Sequence, residues 1–200
     1  MGLSRIKGIS LSLFSSVLLV ACYNPKNIVI SKTNSHSIDF KITDSTLLSI
    51  QQTHDLVIGY ARENTAWSRG AYYYFIALKG KQWTAIKYQK KDILRVGESP
   101  TALITHAVPK AIGDSLLGVV IKNNSWTIRD SAMSIEKECL CSISDGWDYY
   151  FNMMTRSGIN SVKFYEPGYY HECCPEWNPR TRYLITTGFI YSFFKRNGYL

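Results

Sequence analysis

The sequence predicts an α+β fold, an antiparallel sheet with a central hairpin at about 71–88 and helices concentrated in the C-terminal third. Three features point there. The runs A-Y-Y-Y-F-I-A-L (71–78) and Q-W-T-A-I-K-Y (82–88) are rich in strand formers. They flank Lys79-Gly80-Lys81, where glycine supplies the positive φ of a hairpin turn. Ile38-Asp39-Phe40-Lys41-Ile42 alternates apolar and polar residues at the strand period. The end of the chain carries an apolar stripe at helical spacing between Asn178-Pro179 and Asn197-Gly198, a start and a stop signal.

The elements follow in order. After the 38–42 strand, residues 45–60 allow two readings. Ser45 can cap a helix bearing Leu47, Leu48, Ile50 and Gln51, and Leu56-Val57-Ile58 reads as a strand. In the hairpin, Trp83, Ala85 and Lys87 share one face, and Thr84, Ile86 and Tyr88 share the other. Pro109 to Lys122 predicts a helix on Ile112, Leu116, Val119 and Val120, with a turn at Asn123-Asn124-Ser125 and a strand from Trp126 to Arg129. Ser144 or Asp145 caps a second predicted helix, with Trp147, Tyr150, Phe151 and Met154 at i, i+3, i+4 and i+7 and Gly158 as its left-handed terminator. A short strand from Val162 to Tyr165 leads into a turn at Glu166-Pro167-Gly168. The last helix spans about Pro179 to Lys195, with Tyr183, Thr187, Ile190, Tyr191 and Phe194 on its stripe.

The first twenty-five residues carry an address. Arg5 and Lys7 precede an apolar stretch from Ile9 to Ala21, too short for a bilayer, which takes about 20 apolar residues, but suited to an export signal. It ends in Leu19-Val20-Ala21-Cys22, which resembles the lipobox of bacterial lipoproteins. The resemblance implies that Cys22 takes a diacylglycerol, that the chain is cut before it, and that the acyl chains anchor the protein to a membrane. It divides the chain into a signal peptide (1–21), a lipidated N-terminus and Asn/Ser-rich tether (22–37), and one globular domain (38–200). It also implies a cell-envelope location. With no acidic cluster after Cys22, the expected side is the periplasm.

The net charge is +8, and removing Arg5 and Lys7 lowers it to +6. The basic residues are scattered, and an exported chain rarely meets nucleic acid, so no nucleic-acid partner is expected. Weak attraction to anionic headgroups is a better use of the charge.

An oxidising compartment turns neighbouring thiols into disulfides. Bonding Cys139 to Cys141 or Cys173 to Cys174 strains the backbone. Crosswise pairing of one or both of Cys139 and Cys141 with Cys173 and Cys174 closes a loop of more than thirty residues, which is worth about 3–4 kcal/mol each. With His171, the same four cysteines form a soft set suited to Zn²⁺, the alternative reading, although adjacent cysteines chelate a single ion poorly.

No G-x-S-x-G, H-E-x-x-H or phosphate-cradling glycine loop is present, so no cofactor is expected and an enzyme is disfavoured. The isolated His36, His54 and His106, and the acidic pairs Glu136/Glu138 and Asp145/Asp148, form no recognisable catalytic set. What remains is a binding or structural module for a protein or glycan partner. The alternatives are a small envelope hydrolase or thiol enzyme, or an inhibitor-type lipoprotein. The chain holds five tryptophans and fourteen tyrosines, and Trp67 and Trp177, both in turn-like sequence, are the candidate binding rings.

Overall fold

The computed structural model describes residues 44–63, 71–90, 101–128, 141–144, 146–174 and 178–200. The expected 38–42 strand, the signal and lipobox with Cys22, and Cys139, Trp67 and Trp177 lie outside these residues. Helix α1 (Ser45–Thr53) leads into β1 (Leu56–Glu63), β2 (Ala71–Lys79), β3 (Gln82–Lys90) and β4 (Thr101–Val108). Helix α2 (Lys110–Lys122) and a 3-10 turn (Ser125–Thr127) follow. Then come β5 (Asp148–Thr155), β6 (Gly158–Tyr165), α3 (Pro167–Cys173) and α4 (Asn178–Arg196).

The fold is α+β. Its six strands form one antiparallel sheet in the order β4-β3-β2-β1-β5-β6, a four-strand meander to which the β5–β6 hairpin adds beside β1. The predicted hairpin is β2–β3, closed where Lys79 pairs with Gln82. Its faces divide as expected: Trp83 and Ala85 enter the core under α2 and α4, while Ile86 and Tyr88 face α1. Asp55 ties the two turns at one end of the sheet, accepting from Gly80 N at 2.6 Å and pairing with Arg156 at 3.1 Å.

Residues 45–53 are helical, but the cap is Asp44 rather than Ser45. Its Oδ1 accepts from Thr46 N (2.9 Å) and Leu47 N (3.1 Å) while Oδ2 accepts from Tyr88 OH (2.8 Å). Two carboxylate oxygens serve both roles at once, which one hydroxyl does less well. Leu47 and Ile50 bury against Val57, Phe75 and Met154, and Gln51 donates to Thr155 O at 2.9 Å.

The turn expected at Glu166-Pro167-Gly168 is the entry to α3, which starts at Pro167 after Glu166 in the left-handed region, and two expected elements take another form. The residues expected as a helix from 144 onward form β5. Phe151 and Met153 point into the α4 side of the sheet and Met154 into the α1 side, so the run is apolar on both faces. Such a strand loses its alternation and can imitate a helical spacing. Gly158 is accordingly a strand residue paired with Thr155, and it is not among the glycines at positive φ. The strand expected from Trp126 is the 3-10 turn instead, with Arg129 outside the described residues. Arg182 of α4 donates to Asn123 O (3.3 Å) and Thr127 Oγ1 (3.1 Å), and Ser125 Oγ bonds Thr186 Oγ1 at 2.8 Å, so this turn is held by α4 rather than by a sheet.

Helix α2 packs where Trp83 covers Gly113. A Cβ there would overlap the indole, so the close approach requires glycine. Trp83 Nε1 also donates to Asp114 Oδ1 at 3.1 Å. Helix α4 buries Tyr183, Thr187, Ile190 and Phe194, as its stripe predicts, but Tyr191 is 45% exposed. It stops before Gly198, where positive φ lets Gly198 N bond Lys195 O and Tyr199 N bond Phe194 O. Tyr199 then stacks on His106 at 3.8 Å. No helix among the described residues is long and apolar enough to cross a membrane.

Candidate functional site

Cross-strand register arranges the α4 side of the sheet in rows. At one end lie Val108, Trp83, Leu78, Leu56, Thr155 and Gly158, beside α2. Two rows further along, the register aligns Lys87, Tyr74, Tyr60 and Phe151, which α4 crosses with Phe194 against Tyr74 (5.3 Å) and Tyr183 against Phe151 (6.2 Å). The last row reads Ala102, Gln89, Tyr72, Arg62, Tyr149 and Phe164. Gln89, Tyr72 and Tyr149 are only half-buried there, and Arg62 is exposed. From Gln89 to Tyr149 this open row crosses three strand spacings, roughly 14 Å.

Arg62 is the centre of the row. Its guanidinium carbon lies 5.5 Å from the Tyr72 ring centroid and 5.3 Å from that of Trp147, which precedes β5. No carboxylate pairs with it among the described residues, and the two rings lie within 5.5 Å of its guanidinium carbon. Gln89 Nε2 donates to Tyr72 OH at 3.3 Å, and Tyr60 stacks beneath on Tyr74 at 5.2 Å. Burial raises the Tyr60, Tyr74 and Tyr149 phenols above their ordinary pKa; nearby Tyr74 adds to it at Tyr60 and Glu166 adds to it at Tyr149, while Arg62 opposes it. These phenols keep their protons at neutral pH and remain hydrogen-bond donors.

The cysteines support the segment that carries Trp147. Cys141 and Cys173 are disulfide-bonded with Cα atoms 6.5 Å apart, and Cys174 is disulfide-bonded too. The three sulfurs lie within 4.8 Å of one another, and His171 is not among them. Around this link, Tyr169 OH donates to Ser142 O (3.1 Å), Tyr165 OH accepts from Gly146 N (2.8 Å), and Glu166 Oε1 accepts from Trp147 N (2.5 Å). The buried Arg180 fastens the other side, donating to the carbonyls of Tyr170 and Cys174. The disulfide therefore clamps 141–147 to α3 and sets Trp147 over Arg62.

This chemistry bears on the other readings. Zinc ligation and nucleophilic attack both need a thiolate, and in disulfide form Cys141, Cys173 and Cys174 offer none. His171 Nδ1 is buried without a hydrogen-bond partner among the described residues. The acidic Asp148 pairs with Lys163 at 2.8 Å on the opposite face of the sheet, and its sequence partner Asp145 lies outside the described residues, as do Glu136 and Glu138. His54 Nδ1 bonds Ile50 O at 2.8 Å and His106 stacks on Tyr199. Sequence reasoning did not find Arg62, Tyr72, Trp147 or Tyr149. The one available signal was the repeated pairing of tyrosines in β2 and β5, which says nothing about facing until the register is known. No protein-family model matches the chain, and no curated protein matches it either.

Proposed function

We propose that this protein is a binding module of the bacterial cell envelope, lipid-anchored through Cys22 and facing the periplasm, and that the open Arg62 row is its glycan-binding surface. The observation that carries the reading is Arg62 itself: an exposed guanidinium held between Tyr72 and Trp147 without a carboxylate partner among the described residues. Aromatic faces accept the C–H face of a sugar ring through their π electrons, and the flanking amide and phenol groups meet its hydroxyls. A protein partner fits less well. Among the described residues the large exposed hydrophobic side chains (Leu48, Leu103, Ile104, Tyr169, Ile185, Tyr191, Leu200) are spread over several elements, and none belongs to this row. The tether at 22–37 gives the domain reach from the membrane.

Two measurements test this. Replacing Cys22 with Ser abolishes incorporation of labelled palmitate and leaves unprocessed precursor; label in that variant refutes the anchor. A glycan panel presented to the purified protein yields binders that Trp147→Ala weakens at least tenfold. A panel without binders refutes the surface.

A further inference from the structure

Resting on the glycan reading, we infer that the ligand is acidic: a sugar carrying a carboxylate, which Arg62 takes as a two-oxygen partner while the neighbouring sugar ring lies against Tyr72 or Trp147.

The charge around the row supports this. Lys87 Nζ lies 5.9 Å from the Tyr74 ring, one row in from Arg62 on the same face of the sheet. Two cations, Arg62 and Lys87, thus lie against Tyr72 and Tyr74. Among the described residues the carboxylate that acts on Tyr149 is Glu166, whose Oε1 accepts from the Trp147 backbone N–H. A neutral glycan would leave that surplus unused, and an exposed arginine without a partner is a poor element of a surface meant to stack uncharged sugars.

The geometry selects arginine chemistry. The Tyr72 and Trp147 rings, 5.5 and 5.3 Å from the guanidinium carbon, restrict its rotation, so its N–H donors are offered as a planar fork. A carboxylate matches that fork with two parallel hydrogen bonds, and a lysine in the same place would supply charge without direction. In the row itself, burial keeps the half-buried Tyr149 phenol protonated at neutral pH, so it adds a donor for an anion without repelling it.

The test uses the full mature chain in detergent. The probes are a hexuronic acid oligosaccharide, the same oligosaccharide with its carboxyls reduced to alcohols, and inorganic phosphate as competitor, all read by calorimetry at low and high salt. The acidic oligosaccharide binds at least tenfold tighter than the reduced one, and the gap narrows with salt. Arg62→Ala removes the gap by weakening the acidic ligand roughly 10–100-fold and the reduced one far less. Arg62→Lys recovers only part of it. Arg62 is exposed, so neither variant threatens folding. Equal binding of the two oligosaccharides, with Arg62→Ala silent and Trp147→Ala harmful, overturns the acidic inference and leaves the glycan reading standing. Full binding by Arg62→Lys overturns the two-oxygen geometry. Displacement by phosphate at lower concentration than by free hexuronate overturns the carboxylate assignment. Binding of neither oligosaccharide overturns both readings.

Discussion

Gly113 is the fourth residue of α2, at the end of its first turn, where alanine is ordinarily the better residue by up to about 1 kcal/mol. Two opposing terms decide the sign of Gly113→Ala. The new Cβ overlaps the Trp83 indole, and overpacking of this kind costs about 1–3 kcal/mol. Shifting the indole also endangers its hydrogen bond to Asp114, worth about 0.5–1.5 kcal/mol. Set against the propensity gain, the net loss is about 0.5–3.5 kcal/mol, or a Tm lower by roughly 2–4 °C for each kcal/mol. Gly188 of α4 is the internal control. It is helical, exposed, and has nothing within 4 Å of an added Cβ, so Gly188→Ala shows the propensity gain alone and stabilises. Urea unfolding monitored by circular dichroism measures both. Adding Gly113→Ala to a Trp83→Leu background recovers at least about 1 kcal/mol of coupling, because leucine vacates the space the methyl needs. Should Gly113→Ala prove as stabilising as Gly188→Ala, the packing of α2 on β3 described above is wrong.

Other outcomes are expected. Replacing Cys141 and Cys173 together with Ser opens a loop of 32 residues, and chain entropy places the loss at up to about 3–4 kcal/mol; denaturant unfolding should show it, and glycan affinity should fall as the Trp147 segment loosens, whereas unchanged stability and affinity would remove the clamp role. Alkaline stability is set by the buried phenols. Burial and then the Asp44 hydrogen bond push Tyr88 up to about 12, and burial also raises Tyr60, Tyr74, Tyr149, Tyr150 and Tyr183. Because the folded values exceed the unfolded one, this contribution is complete below pH 10 and is lost as pH climbs from there through 12. Tyr88→Phe should make the decline shallower, and a decline that begins well below pH 10 would point to other groups.

What could be read along the chain is what neighbouring residues settle among themselves. The β2–β3 hairpin, with Trp83 and Ile86 on opposite faces, follows from period-two alternation around Gly80. Helix α4 follows from its stripe and from Gly198. Each of these depends on a window of a few turns or one strand. The tertiary structure decided the rest. Residues 148–155 carry a spacing compatible with a helix and became β5 because β1 and β6 pair with both its edges and helices cover both its faces. Strand β4 carries no lysine, arginine or acidic residue and gave no signal of its own; pairing with β3 defines it. The site belongs to this second class. Gln89, Tyr72, Arg62, Tyr149 and Trp147 are spread over four elements and meet only through the register of three strand pairs and a disulfide. Hydrogen bonding between strands acts across dozens of residues, and the sequence carries no local record of it.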